Sequence, residues 1–164
     1  MADPAAKFTA AVVTVSDSCA CGKREDRSGP AVAGALQKLN FPVAAREIVP
    51  DDTIQIQNLL IRLAREVRLI VTTGGTGVAP RDVTPEATAA VCERILDGVG
   101  ERMRSESSKK TAFAALSRGI CGVRGTSLIL NLPGSPVGAV ESLEAVADLI
   151  PHALELLSGN TEHP

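Results

Sequence analysis

Residues 68–86 read Arg68-Leu-Ile-Val-Thr72, then Thr73-Gly74-Gly75-Thr76-Gly77, then Val78-Ala-Pro80-Arg81-Asp82-Val83, and finally Thr84-Pro85-Glu86. The first five residues are mostly apolar and partly β-branched, as expected of a short strand buried on both faces. The three glycines at 74, 75 and 77 mark a tight turn. A helix start follows: Thr84 suits an N-cap, Pro85 the first helical position and Glu86 the first turn. Strand, glycine turn, helix is the unit from which α/β domains are built.

The same alternation extends both ways. Upstream, residues 8–16 read as a buried strand and residues 17–28 as a polar loop. Residues 30–39 read as a helix that Ser28 can cap, and residues 41–49 as a second strand. Residues 51–67 form the clearest amphipathic helix. Ile56, Leu59, Leu60, Leu63 and Val67 share one face, and Asp51, Asp52 or Thr53 can cap it. Downstream, a polar helix is expected at about 98–110 and a strand at 126–131, closing on Leu132-Pro133-Gly134-Ser135-Pro136. Ser135 and Pro136 open the final helix, which Pro151 kinks or restarts. The alternation predicts a largely parallel sheet with helices on both faces, in one domain spanning residues 1–164. In such sheets ligands bind beyond the carboxyl ends of the strands. Four loops leave such ends: Ser16-Asp17-Ser18, Val49-Pro50-Asp51-Asp52, 73–85 and 131–136.

Composition narrows the function. The 164 residues are 45% apolar and 22% charged, within the globular range, so bulk disorder is excluded. Aromatics are only 2% and the net charge is −2, which argues against a base-stacking or phosphate-tracking nucleic-acid surface. No apolar run approaches the length of a membrane span, and the N-terminus lacks a secretory pattern, so the expected compartment is the cytoplasm. Cys19, Cys21, Cys92 and Cys121 lack the paired spacing of a zinc site and read as reduced thiols. His152 and His163 lie near the C-terminus, far from the candidate loops, so a Ser-His or Cys-His catalyst is not expected.

The glycine turn can aim backbone N–H groups at an anion, or it can be a bare strand-to-helix turn. It is not a P-loop, and Pro80 stands where a dinucleotide fingerprint needs its third glycine. Asp82 sits just before a helix start, where a phosphate would be favoured. A carboxylate there repels the phosphate unless a cation intervenes, and Mg²⁺ bound by one or two carboxylates does so. Asp51 is the natural second carboxylate, although Asp51 and Asp82 could instead cap helices and Asp17 could form an Asx turn.

Taken together, 73–88, Val15-Ser-Asp-Ser18, Asp26-Arg-Ser-Gly-Pro30, Val49-Pro-Asp-Asp52, Leu116-Ser-Arg118, Gly122-Val-Arg-Gly125 and Leu130-Asn-Leu-Pro-Gly134 resemble a known family. It is the molybdenum-cofactor biosynthesis group of MogA, MoaB and the gephyrin G domain, matched in order over residues 8–158. The resemblance implies a three-layer sandwich whose mostly parallel sheet carries one antiparallel strand. It implies a molybdopterin adenylyltransferase that moves AMP from Mg·ATP onto the terminal phosphate of molybdopterin and releases pyrophosphate. A homotrimer and a molybdenum insertase partner are implied too, with no nucleic acid and no membrane. Asp51 and Asp82 match the catalytic, Mg²⁺-holding carboxylates. Gly74, Gly75, Thr76, Gly77, Asn131, Pro133, Gly134 and Ser135 match the nucleotide and phosphate region. Ser16, Asp17, Ser18, Ser107, Lys109, Ser117 and Arg118 match molybdopterin contacts. Arg81, Lys109 and Arg118 are candidates for neutralising charge. The attacking phosphate oxygen is already ionised at neutral pH, so alignment and charge neutralisation are required rather than a histidine base. The alternative is a carrier of the same fold that binds molybdopterin without catalysing transfer.

Overall fold

In the computed structural model, which describes residues 4–161, six strands form one sheet in the order β2-β1-β3-β6-β5-β4. They are β1 (Ala10–Val15), β2 (Val43–Val49), β3 (Leu69–Thr73), β4 (Arg94–Ile95), β5 (Cys121–Arg124) and β6 (Ser127–Leu132). The four strands β2, β1, β3 and β6 run parallel, and β5 runs antiparallel to both of its neighbours. The single reversed strand agrees with the resemblance.

Every residue of β1, β3 and β6 is buried, because helices cover both faces. Ala10, Val12, Leu69, Val71, Leu128 and Leu130 face one side. There they meet α2 (Ser28–Lys38), α5 (Asp97–Ser108), α6 (Pro136–Val146) and α7 (Ile150–Leu157). The intervening Ala11, Val13, Ile70 and Ile129 face α3 (Thr53–Leu63) and α4 (Thr84–Val91) on the other side. Period-two alternation along each strand thus divides the core into two layers. In α3 the predicted stripe is the buried face: Ile56, Leu60 and Leu63 are fully covered. Truncating Leu60 to Ala would cost about 2–5 kcal/mol. The edge strand β2 alternates instead, with Ala44, Arg46 and Ile48 exposed.

Several local expectations need correction. The loop at 17–28 contains a one-turn helix, α1 (Asp17–Ala20), capped by the Ser16 hydroxyl. Ser28 lies inside α2 rather than capping it, and Arg27 holds the cap position. Among the three proposed caps of α3, Asp52 is the one used, its carboxylate accepting from Gln55 N at 2.9 Å. Thr84 does not cap α4 with its hydroxyl, which donates to Gly74 O at 3.0 Å instead. Pro151 restarts the chain as α7 after α6 has ended. Strands β4 and β5 are not foreseen in the sequence. The first is two exposed residues, and the second is four residues interrupted by Gly122. His152 is an exposed residue of α7, and His163 lies outside the described residues. Among the described residues no helix is long and apolar enough to cross a membrane.

The topology places the site. From β1 the chain crosses to β2 on one side, then returns past β1 to β3 on the other. The loops after β1 and β3 therefore diverge and open a crevice at the carboxyl edge. The loops after β2 and β6 flank it.

Candidate active site

The four loops meet through specific bonds. Asp17 N donates to the Asp51 carboxylate at 2.9 Å, and Asp51 N donates back to the Asp17 carboxylate at 3.0 Å. Gly74 N donates to Leu132 O at 3.1 Å, and the Thr73 hydroxyl to Pro133 O at 2.8 Å. The result is an acidic cavity of about 340 Å³, lined by Ser16, Asp17, Ser18, Asp51, Gly74, Gly75, Asp82 and Gly134.

Its glycine wall admits no side chains. Gly74 and Gly75 have φ of 99° and 66°, in the left-handed region. A Cβ on Gly74 would lie 2.3 Å from Val15 O, and one on Gly75 would lie 2.3 Å from Thr84 Oγ1 and 3.1 Å from Asp51 Oδ1. A Cβ on Gly77 would lie 2.8 Å from Asp82 Oδ2. The turn thus passes between the two carboxylates at near-contact distance. Thr76 is buried, and its carbonyl accepts from Arg118 N at 2.9 Å.

Two arginines lock this wall. Arg81 reaches across to the Asp17 carboxylate and donates to Asp51 O at 3.0 Å, fastening three loops together. Arg118 donates to Gly77 O and Asp82 O, each at 2.8 Å, and pairs with Glu86. The Asp82 carboxylate accepts from Ala79 N at 3.0 Å, inside its own turn and not as a helix cap. Electrostatics separates the acids. The hydrogen bonds from Arg81 hold Asp17 below the usual carboxylate range. Burial, reinforced by the charges of Asp17 and Asp82, pushes Asp51 above it. Asp17 is therefore paired with Arg81, whereas Asp51 and Asp82 line the same cavity with no ion pair to either carboxylate among the described residues. That donor set fits a small divalent cation which completes its coordination with ligand oxygens. Among the described residues no cluster of three His, Cys, Asp or Glu side chains stands ready to hold a metal by itself.

A second cavity of about 390 Å³ opens beside the first, between α5, α6 and the 3-10 turn Ala112–Leu116. Met103, Phe113, Ala114, Pro133 and Val137 make it apolar, and Arg104, Ser107, Lys110 and Ser117 add polar groups. Phe113 is 79% exposed and Val137 67%, unusually open for such side chains. Ser107 Oγ lies 3.3 Å from Ser142 Oγ.

The sequence grouping is thus redistributed. Ser16, Asp17 and Ser18 line the acidic cavity, with Asp51, Asp82 and Gly74. Ser107 and Ser117 line the apolar one, together with Asn131, Pro133 and Ser135. The Asn131 amide is engaged by protein, donating to Thr72 Oγ1 at 3.0 Å and Thr88 Oγ1 at 2.9 Å. Ser135 caps α6, accepting from Gly138 N at 3.3 Å. Lys109 points away, its ammonium on Glu106 at 2.8 Å, whereas the adjacent Lys110 lines the cavity and pairs with Glu141 at 2.9 Å. The sequence does not single out Arg104, Lys110, Phe113 or Val137. Arg104 and Lys110 stand three residues to either side of Ser107, a one-turn spacing that could have found both. Burial pushes Cys92 up to about 11 and Cys121 up to about 12, which suppresses the reactive thiolate.

Known proteins are similar to this chain in sequence and in fold. Residues 11–152 match the family described as "Probable molybdopterin binding domain". Two Helicobacter pylori proteins named molybdopterin adenylyltransferase are 46% identical over 153 residues, covering 91% of this chain and 87% of theirs. The protein of that name from Escherichia coli K12 is 38% identical over 164 residues, covering 90% of this chain and 84% of its own length. The solved structure of the molybdopterin biosynthesis enzyme MoaB from Thermus thermophilus superimposes with a TM-score of 0.88 at 50% identity. The match covers 93% of this chain and 97% of that one.

Proposed function

The chain belongs to the molybdopterin-binding domain family, and on that premise we propose that it is a molybdopterin adenylyltransferase of molybdenum cofactor biosynthesis. The nucleotide is ATP. An oxygen of the terminal phosphate of molybdopterin forms a bond to the α-phosphorus, the bond from that phosphorus to the bridging oxygen breaks, and pyrophosphate leaves. The observation that carries this reading is the meeting of Asp51 and Asp82 across the glycine turn, next to an apolar cavity large enough for a ring system.

The acidic cavity takes the triphosphate and the apolar cavity takes the pterin. Asp51 and Asp82 would hold Mg²⁺, which when bound shields the charge of the phosphates as they approach. Gly75 and Gly77 let the phosphate chain come close to the backbone. Arg81 and Arg118 keep the carboxylate-bearing loops at fixed separation, since both are engaged with protein groups. Phe113 and Val137 would shield the pterin faces, with Arg104 and Lys110 offering charge to its polar edge. The nucleophile is ionised at neutral pH, so no proton acceptor is required and none is assigned. We take the 1–164 chain as one domain that works as a cytoplasmic homotrimer and delivers its product to a molybdenum insertase.

The test is pyrophosphate release from Mg·ATP and purified molybdopterin. Asp82→Asn should lower release by about 10²–10³-fold while molybdopterin still binds. Undiminished turnover in that variant would remove Asp82 from the mechanism. Tight pterin binding by the wild type, with no pyrophosphate, would make the chain a carrier.

A further inference from the structure

The two cavities have a common neighbour. A third hollow of about 670 Å³ runs along Arg24, Arg27 and Ser28, shares Gly134 with the acidic cavity and shares Ser135 with the apolar one. Gly134 and Ser135 therefore stand where all three spaces meet. Gly74, Gly75 and Gly77 each have a local reason to be glycine, a positive φ or a contact under 3.0 Å for any added Cβ. Gly134 has neither. It is exposed, its φ is not in the left-handed region, and an added Cβ would meet only Gly74 Cα, at the ordinary contact distance of 3.4 Å. Packing and backbone conformation thus leave room for a side chain at a residue that lines both the acidic cavity and the third hollow, next to Pro133 and Ser135 of the apolar one. The residue is also held still: the Pro133 carbonyl before it is fixed by the Thr73 hydroxyl, and Ser135 after it caps α6.

We propose that Gly134 is the sill over which the two substrates meet, its bare Cα leaving the gap through which the phosphate of one reaches the α-phosphorus of the other. This rests on the adenylyltransferase reading. A side chain at 134 should keep the reacting atoms apart without emptying either cavity. In-line transfer needs the atoms within about 3–3.5 Å, and a displacement near 1 Å costs about 10²-fold.

Gly134→Ala and Gly134→Val in the full chain test it, with three measurements on each. Thermal midpoints should match the wild type. Dissociation constants for molybdopterin alone, and for a non-hydrolysable ATP analogue with Mg²⁺, should each weaken by far less than turnover falls, because the remaining walls of each cavity are unchanged. Pyrophosphate release should fall about 10-fold in Ala and at least about 10²-fold in Val. Wild-type turnover in Gly134→Val would overturn the proposal. So would loss of either ligand as complete as the loss of turnover, or a failure of Gly134→Val to fold. A wild type that binds both ligands but releases no pyrophosphate would instead defeat the adenylyltransferase reading, and this inference with it.

Discussion

The acidic cavity is walled by directional bonds: reciprocal Asp17–Asp51 hydrogen bonds, two arginine clips and glycines that tolerate no Cβ. The apolar cavity beside it has a buried floor, Met103 and Asn131 among it, and a rim of open side chains, Phe113 and Val137 above all. The contrast teaches that one half is preorganised by the fold, whereas the other leaves apolar side chains open at its rim. Charged reactants demand the first, because dipoles and charges help only if they are in place before the reaction. A ring system demands apolar surface against its faces and a few polar groups at its edge.

Breaking the rigid half should have the largest effect. Gly75→Ala forces a Cβ into the left-handed region and against Thr84 Oγ1 at 2.3 Å. We expect a stability loss of about 2 kcal/mol in urea unfolding and a fall of about 10²–10³-fold in pyrophosphate release. An active, fully stable Gly75→Ala would show that the wall is softer than its geometry. Breaking the soft half should be milder and separable. Phe113→Ala should weaken molybdopterin binding by about 10-fold, the equivalent of roughly half of a buried aromatic side chain, and leave the KM for ATP unchanged. A change in the KM for ATP would mean that the two halves are not independent.

The smallest effect sharpens the contrast between acids inside the rigid half. Asp51 is held above its ordinary 3.8, so the folded state binds its proton more tightly than the unfolded chain does. Stability therefore falls as pH rises from 3.8 through the raised value, and the cost persists at neutrality. Asp51→Asn should raise the Tm at pH 7 by about 1–2 °C, and the gain should vanish in acid below that window, while turnover is lost. Asp17 behaves in the opposite sense. Its depressed value contributes stability that is complete above 3.8 and is lost as pH falls through the lowered value. A melting series of both Asn variants against pH distinguishes the two signs.

Much of the site is legible in the sequence because it is local. The turn Gly74-Gly75-Thr76-Gly77 and the run through Asp82 to Pro85 carry their chemistry within one strand-to-helix connection. The pairing of Asp51 with Asp82 follows from strand ends alone. Less legible is the partition of residues between cavities, as with Ser16–Ser18 against Asn131–Ser135, since that depends on which loops are neighbours. Lys109 and Lys110 illustrate the limit: neighbours in the turn just past the end of α5, only the second lines the cavity. Arginine roles are similarly hidden. Arg81 and Arg118 read in the sequence as candidates for neutralising charge, and the structure adds that each binds carbonyls or carboxylates of distant loops.

By itself, the sequence determined the alternation of strands and helices, the buried faces and the residues able to do phosphate chemistry. Those properties follow from side-chain periodicity and from what each residue type permits its own backbone. Tertiary structure alone decided strand order and sense, the split into an acidic and an apolar cavity, and the place of Gly134 in the wall of the acidic one. These depend on which loops a twisted sheet brings side by side, and on contacts between residues far apart in the chain that no local pattern encodes.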